Sequence, residues 1–438
     1  MSKVAFRTLG CKVNQIDTEQ IKEEFIINGY LIVDFDEVAD IYIINTCTVT
    51  HVSDRKSRAL IRRAVRNNPN AIVAAIGCTA QVNPQKLADI EGVNLVIGNK
   101  EKENVVQIIE KYKNNEQKRN LIYAEPITKN VKLKPIIFSK AHERTRAFVK
   151  IQDGCQSFCS YCIVPFARGP VRSKLPQDVL IELKQLLILG YKEIVLTGIH
   201  TGFYGTDLDD IDLLGLLKTI LQETKQYNFR LRLSSVEPLE VTDDLIDLMK
   251  NEKKLCHHFH IPLQSGSDKI LKDMNRRYSR KHYEELVLKI AREIPGIAIA
   301  ADVMVGFPTE EDTDFQDTFE LINNLPLSHL HVFKYSKRPG TKAATMDSLV
   351  DGKEKNRRSN KLRDLAEEKN RDFILNHIGL EMDLLVERQI SDYKYRGLTS
   401  NYIEVEFSSK INWIGEFAKV ILEETDVKGS LVRGTLIN

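Results

Sequence analysis

The chain has 438 residues, 42% of them hydrophobic and 28% charged, with a formal net charge of +2, a length that asks for two or three domains. It contains no run of about eighteen apolar residues, which excludes a membrane-spanning helix, and its charge excludes a globally basic nucleic-acid binder. The opening MSKVAFRTLG enters a strand pattern rather than a secretory leader, so a cytoplasmic location is expected, and the seven cysteines read as ligands or reactive thiols.

Three apolar runs share one design in the first third. Val4 to Gly10 leads into Cys11, Asp40 to Thr46 into Cys47, and Ala71 to Gly77 into Cys78. Each reads as a buried strand of a parallel sheet followed by a helical pattern, with a fourth strand predicted at Asn94 to Gly98. This alternation predicts a doubly wound α/β domain over residues 1–113, whose ligands bind beyond the carboxyl ends of the strands. All three cysteines fall at that edge. A single strand-end cysteine is usually a small buried hydrophobe, whereas three in equivalent places predict a joint metal site. Three thiolates without an evident fourth ligand favour a [4Fe–4S] cluster with one open iron over zinc.

After Cys47, Arg55, Arg58, Arg62 and Arg66 recur at helical spacing, and Asp54 is the only acid among the thirteen residues from Asp54 to Arg66. Such a stripe is usually a solvated helix face. Beside a metal-binding edge it is also a candidate phosphate-binding surface. Residues 114–140 are polar and weakly periodic and read as a linker.

Arg146 to Gly154 reads as a strand that runs into Cys155, Cys159 and Cys162, spaced C-x3-C-x2-C. Three thiolates can hold three irons of a [4Fe–4S] cube and leave the fourth open. Zinc would need a closing ligand, and the next cysteine is Cys256, beside His257, His258 and His260. Cys256 itself reads as a buried thiol. The spacing resembles the signature of radical S-adenosylmethionine (SAM) enzymes, in which SAM binds the open iron. Strands at Glu193 to Gly198, Arg230 to Val236, His258 to Gln264, Ile297 to Val305 and Leu330 to Tyr335 alternate with helices such as Gln177 to Leu189 and His282 to Arg292. They predict a partial (β/α)6 barrel over residues 141–373 with its site at the carboxyl ends of the strands. Thr197, Gly198, Ser235, Glu237, Gln264 and Val305 lie at those ends and are candidate SAM contacts, with Tyr161 expected near the adenine. Arg168 and Arg172 are candidates for a phosphate or carboxylate, or for pairing with barrel acids. His200 and Tyr204 are candidates for stacking a nucleobase at a loop rim.

Lys353 to Arg371 is a charged helical stretch. Short alternating runs follow at Met382 to Glu387, Tyr402 to Phe407, Glu416 to Leu422 and Ser430 to Ile437, with Gly397 and Gly415 near turns. They predict a small OB-like β-barrel over residues 374–438. Ten acids against seven bases from Leu375 onward argue against strong non-specific RNA affinity and leave a local face on Lys394, Tyr395 and Arg396.

Taken whole, the chain resembles the methylthiotransferase branch of the radical SAM enzymes, which combines three separated cysteines, a C-x3-C-x2-C core and a terminal TRAM domain. The strings TLGCKVNQ (Thr8 to Gln15), NTCTVT (Asn45 to Thr50) and SDRKSR (Ser53 to Arg58) are most similar to the subgroup that modifies N6-threonylcarbamoyladenosine at position 37 of tRNA, beside the anticodon. The resemblance implies two [4Fe–4S] clusters, the auxiliary one on Cys11, Cys47 and Cys78 carrying sulfide or polysulfide. It implies two SAM molecules per turnover: one methylates that sulfur, and one at Cys155, Cys159 and Cys162 gives the radical that takes hydrogen from C2 of the adenine. The base would be splayed from the anticodon loop. The expected partners are tRNA and an electron donor such as a flavodoxin or ferredoxin, with no membrane and a monomeric state. The alternatives are the same chemistry on isopentenyladenosine tRNA or on a ribosomal-protein aspartate, a radical SAM enzyme of another reaction type, and a non-catalytic iron–sulfur RNA-binding redox protein.

Overall fold

The computed structural model describes residues 1–114, 120–139, 144–347, 349–426 and 431–437. The first unit holds β1 (Lys3–Thr8), α1 (Lys12–Ile27), β2 (Leu31–Val33), β3 (Ile41–Thr46), α2 (His51–Asn67), β4 (Ile72–Gly77), α3 (Cys78–Val82), α4 (Pro84–Ala88), β5 (Leu95–Ile97), α5 (Val105–Lys113) and β6 (Leu121–Tyr123). Its six strands are all parallel, in the order β2-β1-β3-β4-β5-β6. Every residue of β3 is buried, because Phe25 and Ile109 of α1 and α5 cover one face of the sheet, and Ile61 and Leu87 of α2 and α4 cover the other. A sheet buried on both faces needs continuous apolar strands, which is why β1, β3 and β4 were legible.

The stretch read as a linker is structured where described. β6 pairs with β5 at the sheet edge. Further on, Ile136 and Phe138 are buried in the core of the next unit. Their N–H groups donate to Glu182 Oε2 (2.9 Å) and Gln185 Oε1 (3.2 Å). The polar composition hid three buried apolar residues, Leu133, Ile136 and Phe138, in a strap that is otherwise exposed or half-buried. Positions 115–119 of that stretch, the predicted start of the second domain within 140–143, and Ser430 at the predicted start of the last strand lie outside the described residues.

The second unit contains β7 (Arg146–Lys150), β8 (Gln152–Asp153), α6 (Val164–Arg168), β9 (Arg172–Ser173), α7 (Pro176–Ile188), β10 (Glu193–Thr197), α8 (Leu213–Glu223), β11 (Arg230–Leu233), α9 (Asp243–Asn251), β12 (His258–His260), α10 (Asp268–Asp273), α11 (Arg280–Glu293), β13 (Ala298–Val305), α12 (Asp312–Asn324), β14 (His329–Lys334) and α13 (Gly352–Leu375). Parallel sheets β11-β10-β7 and β12-β13-β14 are joined by parallel bridges Leu231 to Leu255 and Ser235 to His260. The result is a six-stranded partial barrel, open between β7 and β14. Alternate residues such as Val149, Leu196, Leu233, Phe259 and Val303 pack outward into the helical core. The intervening Arg146, Glu193, Arg232, His260, Asp302 and His331 therefore face the lumen. The third unit, β15 (Glu381–Ser391), β16 (Lys394–Thr399), β17 (Glu404–Ser408), β18 (Phe417–Thr425) and β19 (Val432–Ile437), is a closed barrel in the order β15-β16-β17-β19-β18.

Two expectations for the last unit are corrected. Gly397 lies inside β16 rather than at a turn, where a Cβ would come within 2.6 Å of Leu385 O. The face on Lys394, Tyr395 and Arg396 is not a free basic patch: Tyr395 is buried, Lys394 lies 3.6 Å from Glu406, and Arg396 pairs with Glu404 and Glu406.

Candidate metal centre

β1, β3 and β4 end side by side, so the residues that follow them share one edge of the sheet. Cys11 is exposed there, and Cys47 and Cys78 are buried. Gly10 and Gly77 leave β1 and β4 with φ of +104° and +96°, a turn that glycine makes without strain. A Cβ on Gly10 would lie 2.9 Å from Cys47 Cβ and 3.1 Å from its sulfur. Burial pushes the Cys47 thiol up to about 11, with Cys78 and Cys11 adding to it.

The second trio sits on the loop after β8. Cys155 N–H donates to Gly169 O (3.1 Å), and Cys162 N–H to Cys159 O (2.9 Å). Phe158 between them takes φ +45° and stays exposed. Burial pushes Cys162 up to about 12, and the neighbouring Cys159 sulfur adds to the shift. Burial also raises Cys155, but hydrogen bonds from His200 and Ser157 outweigh it and leave the thiol below its ordinary value.

Within each trio the sulfurs lie near enough for their charges to act on one another. Three thiolates can hold three irons of a cube and leave the fourth open.

The trios flank one short helix. Cys162 precedes α6, and Asn99 on the far side donates from Nδ2 both to Ala167 O (2.6 Å) and to Cys78 Sγ (3.6 Å). Arg168 at the end of α6 feels the charges of Cys78 and Cys11. A five-residue helix is about 7.5 Å long, so both trios open onto one region.

The strand-end candidates share the rim above the lumen. Thr197 ends β10, Val305 ends β13, and Gly198 follows Thr197. Ser235 bridges to His260. Gln264 takes φ +63° and donates its N–H to Asp302 O (2.7 Å). Glu237 pairs with Arg276, whose Nη1 also lies 3.4 Å from Cys159 Sγ. Sequence reasoning missed Arg276, because nothing in NRRYS marks it as a bridge between a rim carboxylate and a cysteine. Tyr161 packs its ring against the apolar cluster of Met274, Phe307 and Tyr335.

Four candidates for substrate contact are buried instead. Arg168, 1% exposed, pairs with Asp17 and Asp153 (both 3.0 Å) and bonds Asn14. Arg172 lies 3.6 Å from Asp153 and donates to Arg168 O. These arginines satisfy interior acids rather than phosphates. Tyr204, 1% exposed, donates to Lys174 O (2.9 Å) and presents no face to a base. His200 is stacked on Phe203 at 3.7 Å and lies 3.5 Å from Cys155 Sγ, so it buttresses the cysteine loop. By contrast, Arg55, Arg62 and Arg66 are exposed and Arg58 is half-buried, on a helix whose start is clamped to the barrel. Arg338 pairs with Asp54 (2.6 Å) and donates to Thr48 O (2.9 Å).

A partial (β/α)6 barrel with a three-cysteine loop at its mouth defines a radical SAM enzyme. Residues 3–98 match the family described as Uncharacterized protein family UPF0004, and residues 149–322 match the Radical SAM superfamily. The chain is 39% identical over 424 residues to the threonylcarbamoyladenosine tRNA methylthiotransferase MtaB of Bacillus subtilis, covering 96% of this chain and 93% of that protein. It is 40% identical to the MtaB of Aquifex aeolicus, covering 96% and 100%. It is 34% identical to the tRNA-2-methylthio-N(6)-dimethylallyladenosine synthase of Methylacidiphilum infernorum, covering 97% and 93%. Among solved structures, the radical SAM methyltransferase TsrM of Kitasatospora setae shares the fold with a TM-score of 0.59 and 15% identity, over 78% of this chain and 74% of that one. The chain belongs to the radical SAM tRNA methylthiotransferase family, whose chemistry uses SAM and a [4Fe–4S] cluster. No helix among the described residues is long and apolar enough to cross a membrane.

Proposed function

We propose that this enzyme installs a 2-methylthio group on N6-threonylcarbamoyladenosine at position 37 of tRNA, turning C2–H into C2–SCH3. The observation that carries this reading is the pair of thiol trios on either side of α6, linked through Asn99. In this reading Cys155, Cys159 and Cys162 hold the cluster that binds SAM. Cys11, Cys47 and Cys78 would hold an auxiliary cluster able to carry sulfide or polysulfide. Together with SAM, these groups supply a sulfur, its methyl group and a carbon radical able to take the C2 hydrogen.

The chain's own residues bind and orient. Thr197, Gly198, Ser235, Gln264 and Val305 form the rim on which SAM lies, and Tyr161 closes it near the adenine. Glu237, held by Arg276, accepts from ribose hydroxyls. Arg55, Arg58, Arg62 and Arg66 take phosphates of the anticodon loop, whose base is splayed toward α6. The C-terminal barrel is of TRAM type and adds RNA contacts. A flavodoxin or ferredoxin supplies electrons, and the enzyme works as a cytoplasmic monomer.

The test is anaerobic reconstitution with iron and sulfide, then incubation with SAM, reductant and anticodon stem-loop RNA carrying either threonylcarbamoyl- or isopentenyladenosine. The expected result is a mass gain of one methylthio group on the first RNA. Release of 5′-deoxyadenosine without that product, or product on the second RNA alone, overturns the reading.

A further inference from the structure

Lys12 is the first residue of α1 and follows Cys11 directly. α1 packs along β7, the strand at one margin of the barrel's open side. From there the Lys12 side chain lies within electrostatic reach of the lumen. The charges acting on it are those of Arg146, Arg232 and Glu193, and its own charge acts on His258 and His331. These residues come from five different barrel strands and all face inward.

The lumen's acids are already taken. Glu193 is held by Arg230 (2.6 Å) and Arg232 (2.7 Å). Asp302 lies 2.9 Å from His260 Nε2. Arg146 pairs with Glu387 (2.6 Å). Lys12 is half-buried, and among the described residues it makes no hydrogen bond or ion pair. A partly desolvated ammonium without a direct ion-pair partner, in a chamber where other cations predominate, calls for an anion. The chamber is open to one, since His331 on its wall is exposed, and His260, Asp302 and His331 bring three polar atoms within 4.8 Å of one another. Those atoms suit hydroxyl and amide groups, while the nearby ammonium disfavours a bare metal cation.

We infer that Lys12 is a specificity-determining residue that pairs with a carboxylate on the substrate base, with His260, Asp302 and His331 reading the polar groups beside it. This rests on the proposed function, because the threonylcarbamoyl group bears a carboxylate, a hydroxyl and a urea, whereas an isopentenyl group bears none of these. N6 and C2 flank N1 on one edge of the purine. A base with C2 near the thiol trios thus carries its N6 group toward the region around Lys12.

The experiment compares two anticodon stem-loop RNAs, one with the free threonyl carboxylate and one with its methyl ester. Affinity is read by fluorescence anisotropy on reconstituted wild-type, Lys12→Met and Lys12→Arg proteins, with iron content as the loading control. The wild type is expected to favour the free acid by about tenfold to a hundredfold, the range for a charge-assisted bond. Lys12→Met should bind both RNAs alike, and Lys12→Arg should retain most of the preference. An undiminished preference in Lys12→Met, or a wild type that binds both alike, overturns the inference. Product mass, read separately, tests the functional reading: absence of methylthio product overturns that reading, while an acid preference lost in Lys12→Met still upholds carboxylate recognition.

Discussion

Asp17 does what no surface acid does. Its carboxylate meets Lys102 (2.6 Å) from its own domain, and Lys150 (2.5 Å) and Arg168 (3.0 Å) from the barrel. Burial pushes the carboxyl up, but the charges of Lys102, Lys150 and Arg168 outweigh it and hold the group well below the usual range. Asp17→Asn leaves three buried cations around a neutral amide. The expected cost is about 3–5 kcal/mol, the range for breaking a buried pair from one side, read as a lower urea midpoint. A change under about 0.5 kcal/mol, ordinary for a surface site, would show that the network is inert. Gly10 tests the auxiliary trio more narrowly. In Gly10→Ala the new methyl meets Cys47 at 2.9 Å and strains a φ of +104°. Iron per chain after reconstitution is expected to fall toward that of one cluster, with the three-cysteine loop of the barrel still loaded. Unchanged iron content would mean that Cys47 is not a ligand.

At the scale of elements, α2 carries the RNA argument. Thr50 caps it by accepting from Ser53 N–H, and the clamp by Arg338 aims its arginine stripe outward from the Cys47 edge. Replacing Arg55, Arg58 and Arg62 by Gln is expected to weaken stem-loop binding at every sequence. It should also flatten the dependence of log K on log salt by about 0.7 for each single-strand phosphate that is no longer neutralised. An unchanged slope would make the stripe an ordinary solvated face. This stripe and the six strand-end and loop cysteines were legible because they depend on local pattern: runs of apolar residues set the strands, and parallel topology brings their ends together. Tyr204 was misread, and for Arg168 and Arg172 the choice between phosphate and interior acids stayed open, because burial is decided by partners distant in sequence. Arg168 meets Asp17 and Asn14, which sit on α1, an element that no local pattern connects to the barrel. β2 and β6, the two edge strands of the first sheet, were not read. Lys12 was visible as the residue after Cys11, but its electrostatic reach to the lumen depends on how α1 docks against β7.

The whole molecule is held together at the base of the barrel as well as at its mouth. Arg230 Nη2 donates to Leu398 O (2.7 Å), and Arg232 donates to Ser400 O (2.7 Å) and Thr399 O (3.2 Å), with its guanidinium 4.1 Å from the Tyr402 ring. These contacts seat the C-terminal barrel, and Glu193 compensates both arginines from the lumen side. Burial alone pushes the Glu193 carboxyl up; Arg232 and Arg230 outweigh it and hold it at about 2, against an ordinary value of 4.5. A carboxyl lowered in the folded state stabilises it fully above the unfolded value and loses that contribution as pH falls through the folded one. The unfolding free energy of the wild type minus that of Glu193→Gln is therefore expected to be flat above about pH 5, at about 3 kcal/mol. It should shrink between pH 4.5 and about 2. Amide exchange in β16 should quicken in Glu193→Gln, since the freed arginines lose the partner that orients them toward residues 398–400. A difference that stays constant down to pH 2 would show that Glu193 contributes packing rather than charge.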